Sequence, residues 1–139
     1  MKLPLIWIGN LIGSVLTAVL EMQTRLGPQL TEKANGISQT KLSQGLLSAF
    51  ILAVFCDIMI YIAVEGYKSI PHEIGKYLAI FFGVTVFVIC GFEHCVANMY
   101  YFTVGRAWNG EAVLYLAIMT AGNAAGGVLI PLLRKAAKG

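Results

Sequence analysis

Residues Ala112–Leu133 run without a single charged side chain, and nothing else in the chain limits its fold as sharply. A helix needs about 20 predominantly apolar residues to cross about 30 Å of hydrocarbon. Three further stretches meet that requirement. Leu3–Leu20 is charge-free between Lys2 and Glu21, Leu42–Val64 is interrupted only by Asp57, and Tyr77–Val104 holds Glu93 and His94. Strands of a membrane barrel would alternate polar and apolar residues over about 10 positions, and none of these runs does. The sequence therefore predicts an all-α membrane protein of four transmembrane helices, at about 3–20, 42–64, 77–104 and 112–133, in a single membrane domain over residues 1–139.

Composition agrees. The chain is 58% hydrophobic and 12% charged, with a mean hydropathy of +0.74. An ordinary soluble domain is about 45–50% apolar and about 25% charged. Too few solvated residues remain to cover a water-facing surface, so soluble and disordered classes are excluded. The net charge of +3 is spread over single basic residues and the C-terminus, which gives no phosphate footprint and no nucleic-acid partner. Cys56, Cys90 and Cys95 lie in apolar runs without a pairing framework, and the second histidine, His72, sits in a loop. Neither a disulfide nor a metal site is indicated. No nucleophile–base pair or phosphate-binding glycine loop is present, so the reading is of a non-enzyme without a cofactor.

The connections read as polar loops. Glu21–Lys41 contains Gly27-Pro28 and Asn35-Gly36, Glu65–Lys76 contains Pro71, and Thr103–Glu111 contains Asn109-Gly110. The first apolar run ends in Glu21-Met22-Gln23 rather than at a small-residue cleavage site, unlike a signal peptide. Four helices put both termini on one side, with Lys2, Lys68, Lys76, Arg134, Lys135 and Lys138, against Arg25, Lys33, Lys41 and Arg106 on the other. That bias predicts cytoplasmic termini in a multi-pass protein of the plasma membrane. Tyr100, Tyr101 and Trp108 suit an interfacial belt.

A pattern recurs inside the chain. Gly9-Asn10-Leu11-Ile12-Gly13-Ser14-Val15-Leu16 and Gly122-Asn123-Ala124-Ala125-Gly126-Gly127-Val128-Leu129 agree at five of eight positions. Glycines at i and i+4 let helix backbones approach closely within lipid, and a buried asparagine amide there must find partners. The recurrence points to equivalent units of a repeated membrane architecture.

The third span carries the polar residues. Ionisable groups inside a membrane span are costly and usually face a cavity or a partner. The length of Tyr77–Val104 exceeds one straight crossing, and Gly91 suggests a break. On a continuous helix Glu93 and His94 would point about 100° apart, while Asn98, at i+4 from His94, would share its face. Each also has a structural alternative: Glu93 as an interhelical hydrogen-bonding group, His94 as a satisfied core histidine, Asn98 as a helix-to-helix bond.

Gly91-Phe92-Glu93-His94 followed by Val96-Ala97-Asn98-Met99 closely resembles the signature of the formate/nitrite transporter family, which includes hydrosulfide channels. Phe87, seven residues before the histidine, matches an aromatic that narrows the pore in that family. Gly122-Asn123-x-x-Gly126-Gly127 is similar to its last-helix motif, and Gly9-Asn10-x-x-Gly13 to its third-helix motif. Lys41, ahead of Asp57, resembles a lysine before the family's fourth helix. The resemblance implies the aquaporin-like inverted-repeat fold, here incomplete: four helices instead of six, with the first two helices of the first repeat missing. Asp57 departs from the pattern, standing where family members usually carry asparagine.

The resemblance further implies a homopentamer in the bilayer whose protomers each conduct small monovalent anions of weak acids: formate, nitrite or hydrosulfide. A dehydrated anion in a low-dielectric slit loses solvation worth many kcal/mol, and protonation removes most of that penalty. A histidine's unperturbed pKa, about 6.5, suits such an exchange near neutral pH. His94 is thus the expected proton-exchanging residue, Phe87 a constriction, Lys41 an anion attractor, and Asn98 and Asp57 further pore residues. Two rivals stand beside this. One is a non-conducting membrane scaffold or half-channel subunit whose missing helices come from a second chain. The other is a small four-helix multidrug exporter, disfavoured because the first helix has no acidic residue.

Overall fold

The computed structural model describes residues 2–137 and 139; Lys138, counted above among the basic residues of the terminal side, lies outside them. The regular elements of the described residues are six helices: α1 (Lys2–Met22), α2 (Gly27–Leu42), α3 (Leu46–Ser69), α4 (Glu73–Ile89), α5 (Cys95–Val104) and α6 (Gly110–Ala136). Three of them, α1, α3 and α6, are long and apolar enough to cross a membrane.

One expectation changes. The polar stretch Glu21–Lys41, read as a loop, is mostly the helix α2. Pro28 sits in its first turn, where a missing N–H costs nothing, and Lys41 in its last turn meets the negative end of the helix dipole. Asn35-Gly36 makes no turn because Asn35 is used in packing: its Nδ2 donates to the Gly105 carbonyl at 2.8 Å. The expected span 77–104 is two helices, α4 and α5, with residues 90–94 non-helical between them. At 1.5 Å per residue, α4 reaches about 25 Å, short of the hydrocarbon thickness.

The chain forms two compact units. The first comprises Met1–Leu46 and Cys95–Ile118. Within it α1 and α2 both pack on α5, and Ala18, Ala34 and Val104 form its core with Met22, Leu30, Tyr100 and Tyr101 against them. Small residues bring the backbones together. Ser38 Oγ donates to Ala34 O at 2.7 Å and to Tyr101 O at 3.2 Å, and a Cβ on Gly105 would stand 2.8 Å from the Ala34 carbonyl. The Tyr100 hydroxyl donates to the Glu21 carboxylate. Trp108 donates from Nε1 to Thr103 Oγ1 at 2.9 Å.

The second unit comprises Leu47–His94 and Met119–Gly139. Here α4 returns antiparallel along α3. A Cβ on Gly83 would meet Ala63 Cβ at 2.7 Å, one on Gly66 would meet Ala79 Cβ at 2.7 Å, and Tyr67 and Tyr77 meet edge to face. The later half of α6 runs parallel to α3. Gly122 lies against Phe50 and Ala53, Gly126 against Val54, and further along Arg134 bonds Tyr61 and Glu65. The i, i+4 glycines of α6 therefore have a partner helix, which is α3.

Candidate functional site

Helix α4 is actively terminated. Its last residue is Ile89, and Gly91 adopts φ +67°. The Phe92 amide donates back to Phe87 O at 3.0 Å, and the Gly91 amide to Val88 O at 3.1 Å. This pair of bonds is a Schellman motif: a left-handed residue past the helix end folds the chain back onto the last carbonyls. Glycine adopts that conformation without the clash that a Cβ brings.

From Phe92 to His94 the backbone is irregular. Such backbone is tolerated at membrane depth only where other protein groups or a cavity serve it. Here α3 and α6 serve it. The Glu93 amide donates to Leu52 O at 3.4 Å, a long bond. Asn123 Nδ2 donates to Glu93 O at 2.8 Å and to Ala53 O at 2.9 Å. One buried amide thus ties the irregular segment and α3 to α6, which is why an asparagine stands between Gly122 and Gly126.

Two ring pairs flank the segment. Phe87 and His94 stack with centroids 6.0 Å apart and planes 26° apart. Phe55 and Phe92 do the same at 5.8 Å and 27°. His94 and Phe87 are both half-buried, whereas Glu93 is buried. Asp57, half-buried on α3, brings Oδ1 within 3.7 Å of where a Gly127 Cβ would stand.

The second unit thus brings together Phe87, Gly91, Glu93, His94, Asp57, Gly122, Asn123, Gly126 and Gly127. The remaining candidates belong to the first unit. Lys41 is half-buried in the last turn of α2, Asn98 is buried in α5, and Gly9, Asn10 and Gly13 are exposed on α1. The helical spacings drawn for Glu93, His94 and Asn98 do not apply, because Glu93 and His94 precede the first residue of α5, Cys95. Sequence reasoning missed the Leu52 and Ala53 carbonyls, which carry no sequence signal. It also missed the Phe55–Phe92 stack, for which an aromatic just after a helix-ending glycine was a usable hint.

A model of the formate/nitrite transporter family matches residues 2–136. The chain belongs to the formate/nitrite transporter family. Among other members, it is 36% identical over 101 residues to a formate-nitrite transporter of Plasmodium knowlesi, covering 66% of this chain and 32% of that protein. It is 31% identical over 112 residues to the nitrite transporter NirC of Salmonella typhimurium, covering 78% of this chain and 40% of that one. Its fold matches a pentameric formate channel with formate bound, at TM-score 0.79 and 28% identity, over 94% of this chain and 62% of that one. The chain therefore spans well under half the length of these two relatives. Membership of this transporter family and the three long apolar helices make it a membrane protein.

In this member of the formate/nitrite transporter family, the irregular segment presents an imidazole against an aromatic face. The aromatic ring restricts the orientation of the imidazole. Neither group resembles a metal centre: among the described residues, no cluster of three or more His, Cys, Asp or Glu could hold an ion.

Proposed function

We propose that this chain contributes a pathway for formate, nitrite or hydrosulfide across the plasma membrane, with His94 exchanging a proton with the passing anion. Phe87 narrows the path and excludes water and bulk ions. Lys41 raises the local anion concentration, and Asn98 and Asp57 line the route. The observation that carries this reading is the stack of His94 on Phe87, beside irregular backbone, in a chain of this transporter family. Neutralising the anion where it is dehydrated removes most of the barrier to its passage.

The chain makes four crossings in this reading and works as one membrane domain. Both termini then face one side, the cytoplasm by the excess of lysine and arginine. The protomers assemble as a pentamer, in line with the assembly of the similar channel.

The test is anion uptake by proteoliposomes holding the assembly extracted from its source membrane. Uptake of each anion falls as pH rises through neutrality, and His94→Asn flattens that profile. An unaltered profile removes the histidine from the mechanism. A second reading is a non-conducting scaffold or half-channel subunit; uptake of none of the three anions would favour it.

A further inference from the structure

The C-terminal ends of α3 and α6, both in the second unit, meet around a charged cluster that the proposed anion route does not use. Both helices are long and apolar enough to cross a membrane, and each carries basic residues in its last turn: Lys68 in α3, Arg134 and Lys135 in α6. Arg134 Nη1 donates to the Glu65 carboxylate at 2.8 Å and to the Tyr61 hydroxyl oxygen at 3.1 Å. Beside them lies an open crevice of about 340 Å³, lined by Tyr61, Pro131, Arg134 and Lys135.

Stability does not account for this cluster. The side chains of the Arg134–Glu65 pair are 52% and 37% exposed, and ion pairs that wet contribute little. Both bonds leave from Nη1, so Nε and Nη2 keep their N–H groups for another acceptor. The Tyr61 hydroxyl accepts from the guanidinium and keeps its own hydrogen to donate. Accepting a charge-assisted bond makes it a stronger donor. Arg134, Lys135 and Lys68 together outnumber the Glu65 carboxylate.

A planar fork of N–H donors beside a hydroxyl and a lysine suits the oxygens of a phosphate. The setting selects a lipid as the carrier of that phosphate. The turns of α6 that lead up to the crevice are apolar and uncovered: Val128 is 53% exposed, Leu129 40% and Leu132 59%. Acyl chains lie against such a surface while the headgroup sits at its end, in the way that basic pockets between spanning helices hold lipid headgroups. A free phosphate gains nothing from those side chains.

We infer that the crevice between the ends of α3 and α6 binds the phosphate of an anionic phospholipid. Arg134 and Lys135 pair its charge, and the Tyr61 hydroxyl donates to one of its oxygens. Glu65 is a positioning residue, which with Tyr61 fixes the guanidinium at the end of α3. None of these residues belongs to the proposed anion route, so the site and that route fail separately.

The test titrates the full chain, purified in detergent in its native assembly and stripped of lipid, with phosphatidylglycerol or with phosphatidylcholine of the same acyl chains. Bound lipid is counted by native mass spectrometry. Phosphatidylglycerol is expected to bind roughly tenfold more tightly than phosphatidylcholine, whose choline brings a positive charge toward the cations. Arg134→Gln removes most of that preference and Tyr61→Phe part of it. Lys33→Gln, at an exposed position of α2 in the other unit, leaves it unchanged. Glu65→Gln separates a lipid site from a plain ion pair: it breaks the pair but takes a negative charge away from the crevice, so the preference is kept or rises. Excess inorganic phosphate leaves the lipid in place. Equal binding of the two lipids overturns the inference, as does an unchanged preference in Arg134→Gln or an equal loss in Glu65→Gln. Release of the lipid by inorganic phosphate overturns it as well, because the crevice is then a site for soluble anions.

Discussion

The side-chain amide of Asn123 donates to the backbone carbonyl of Glu93 at 2.8 Å across 30 residues of sequence. It holds in place the backbone on which His94 stands. With the second bond, to Ala53 O, that amide joins helix α6, helix α3 and the segment between α4 and α5. A substitution at 123 therefore acts on the candidate site from a distance.

Asn123→Leu removes both bonds and strands the Glu93 carbonyl in a buried setting. The expected loss is about 1–2 kcal/mol of protomer stability, read as a lower midpoint of unfolding in mixed micelles. Asn123→Asp keeps the shape but loses the donor, so it behaves like the leucine variant. An unchanged midpoint in both would show that the bonds contribute nothing net.

Glycine at 126 leaves no room. A Cβ there would collide with the Val54 carbonyl oxygen, and one at 122 would stand 2.6 Å from Phe50 O. Gly126→Val pushes α6 off α3 and costs about 1–3 kcal/mol. Gly13→Val, its counterpart on the uncovered α1 stripe, changes the isolated protomer by less than about 0.5 kcal/mol. Equal losses at the two positions would contradict the packing described here.

Helix α5 ends as α4 does. Ala107 N donates to Phe102 O at 2.9 Å and Arg106 N to Thr103 O at 3.2 Å, but the left-handed residue is Arg106, at φ +52°. A side chain in that conformation costs roughly 1–2 kcal/mol that glycine avoids. Arg106→Gly is expected to stabilise the protein by about 1 kcal/mol, and Gly91→Ala to destabilise it by a similar amount. Both are measured by unfolding midpoint, and opposite signs are required.

Two variants probe conduction. On the proposed pathway, Phe87→Ala is expected to open the constriction and admit ions such as chloride, scored by proteoliposome leak. Asp57→Asn removes a carboxylate from the proposed anion route and is expected to leave uptake intact or raise it. A sharp fall in uptake with Asp57→Asn would assign that residue a positive role.

Apolar length made α1, α3 and α6 legible, because hydrocarbon thickness sets a minimum run that few other structures need. It could not reveal α2. Asn35-Gly36 has the composition of a turn, and only the tertiary bond from Asn35 to Gly105 explains its place inside a helix. The glycine stripe of α6 announced that some backbone comes close. That this backbone is α3, and that Asn123 reaches carbonyls at 53 and 93, depends on contacts 70 and 30 residues away in sequence that no local pattern encodes. His94 and Phe87 were legible as a pair through the motif, but not their stacking, which depends on the chain doubling back at Gly91.

The contact between Gly126 and Val54 also constrains how this gene can change. Every codon one nucleotide away from a glycine codon either keeps glycine, stops translation or adds at least a Cβ, so position 126 has no neutral neighbour in mutational space. Position 13 faces no such barrier from its own protomer. Its freedom to drift is set by whatever meets α1, and the relative substitution rates at 13 and 126 become a historical record of whether that surface has been covered.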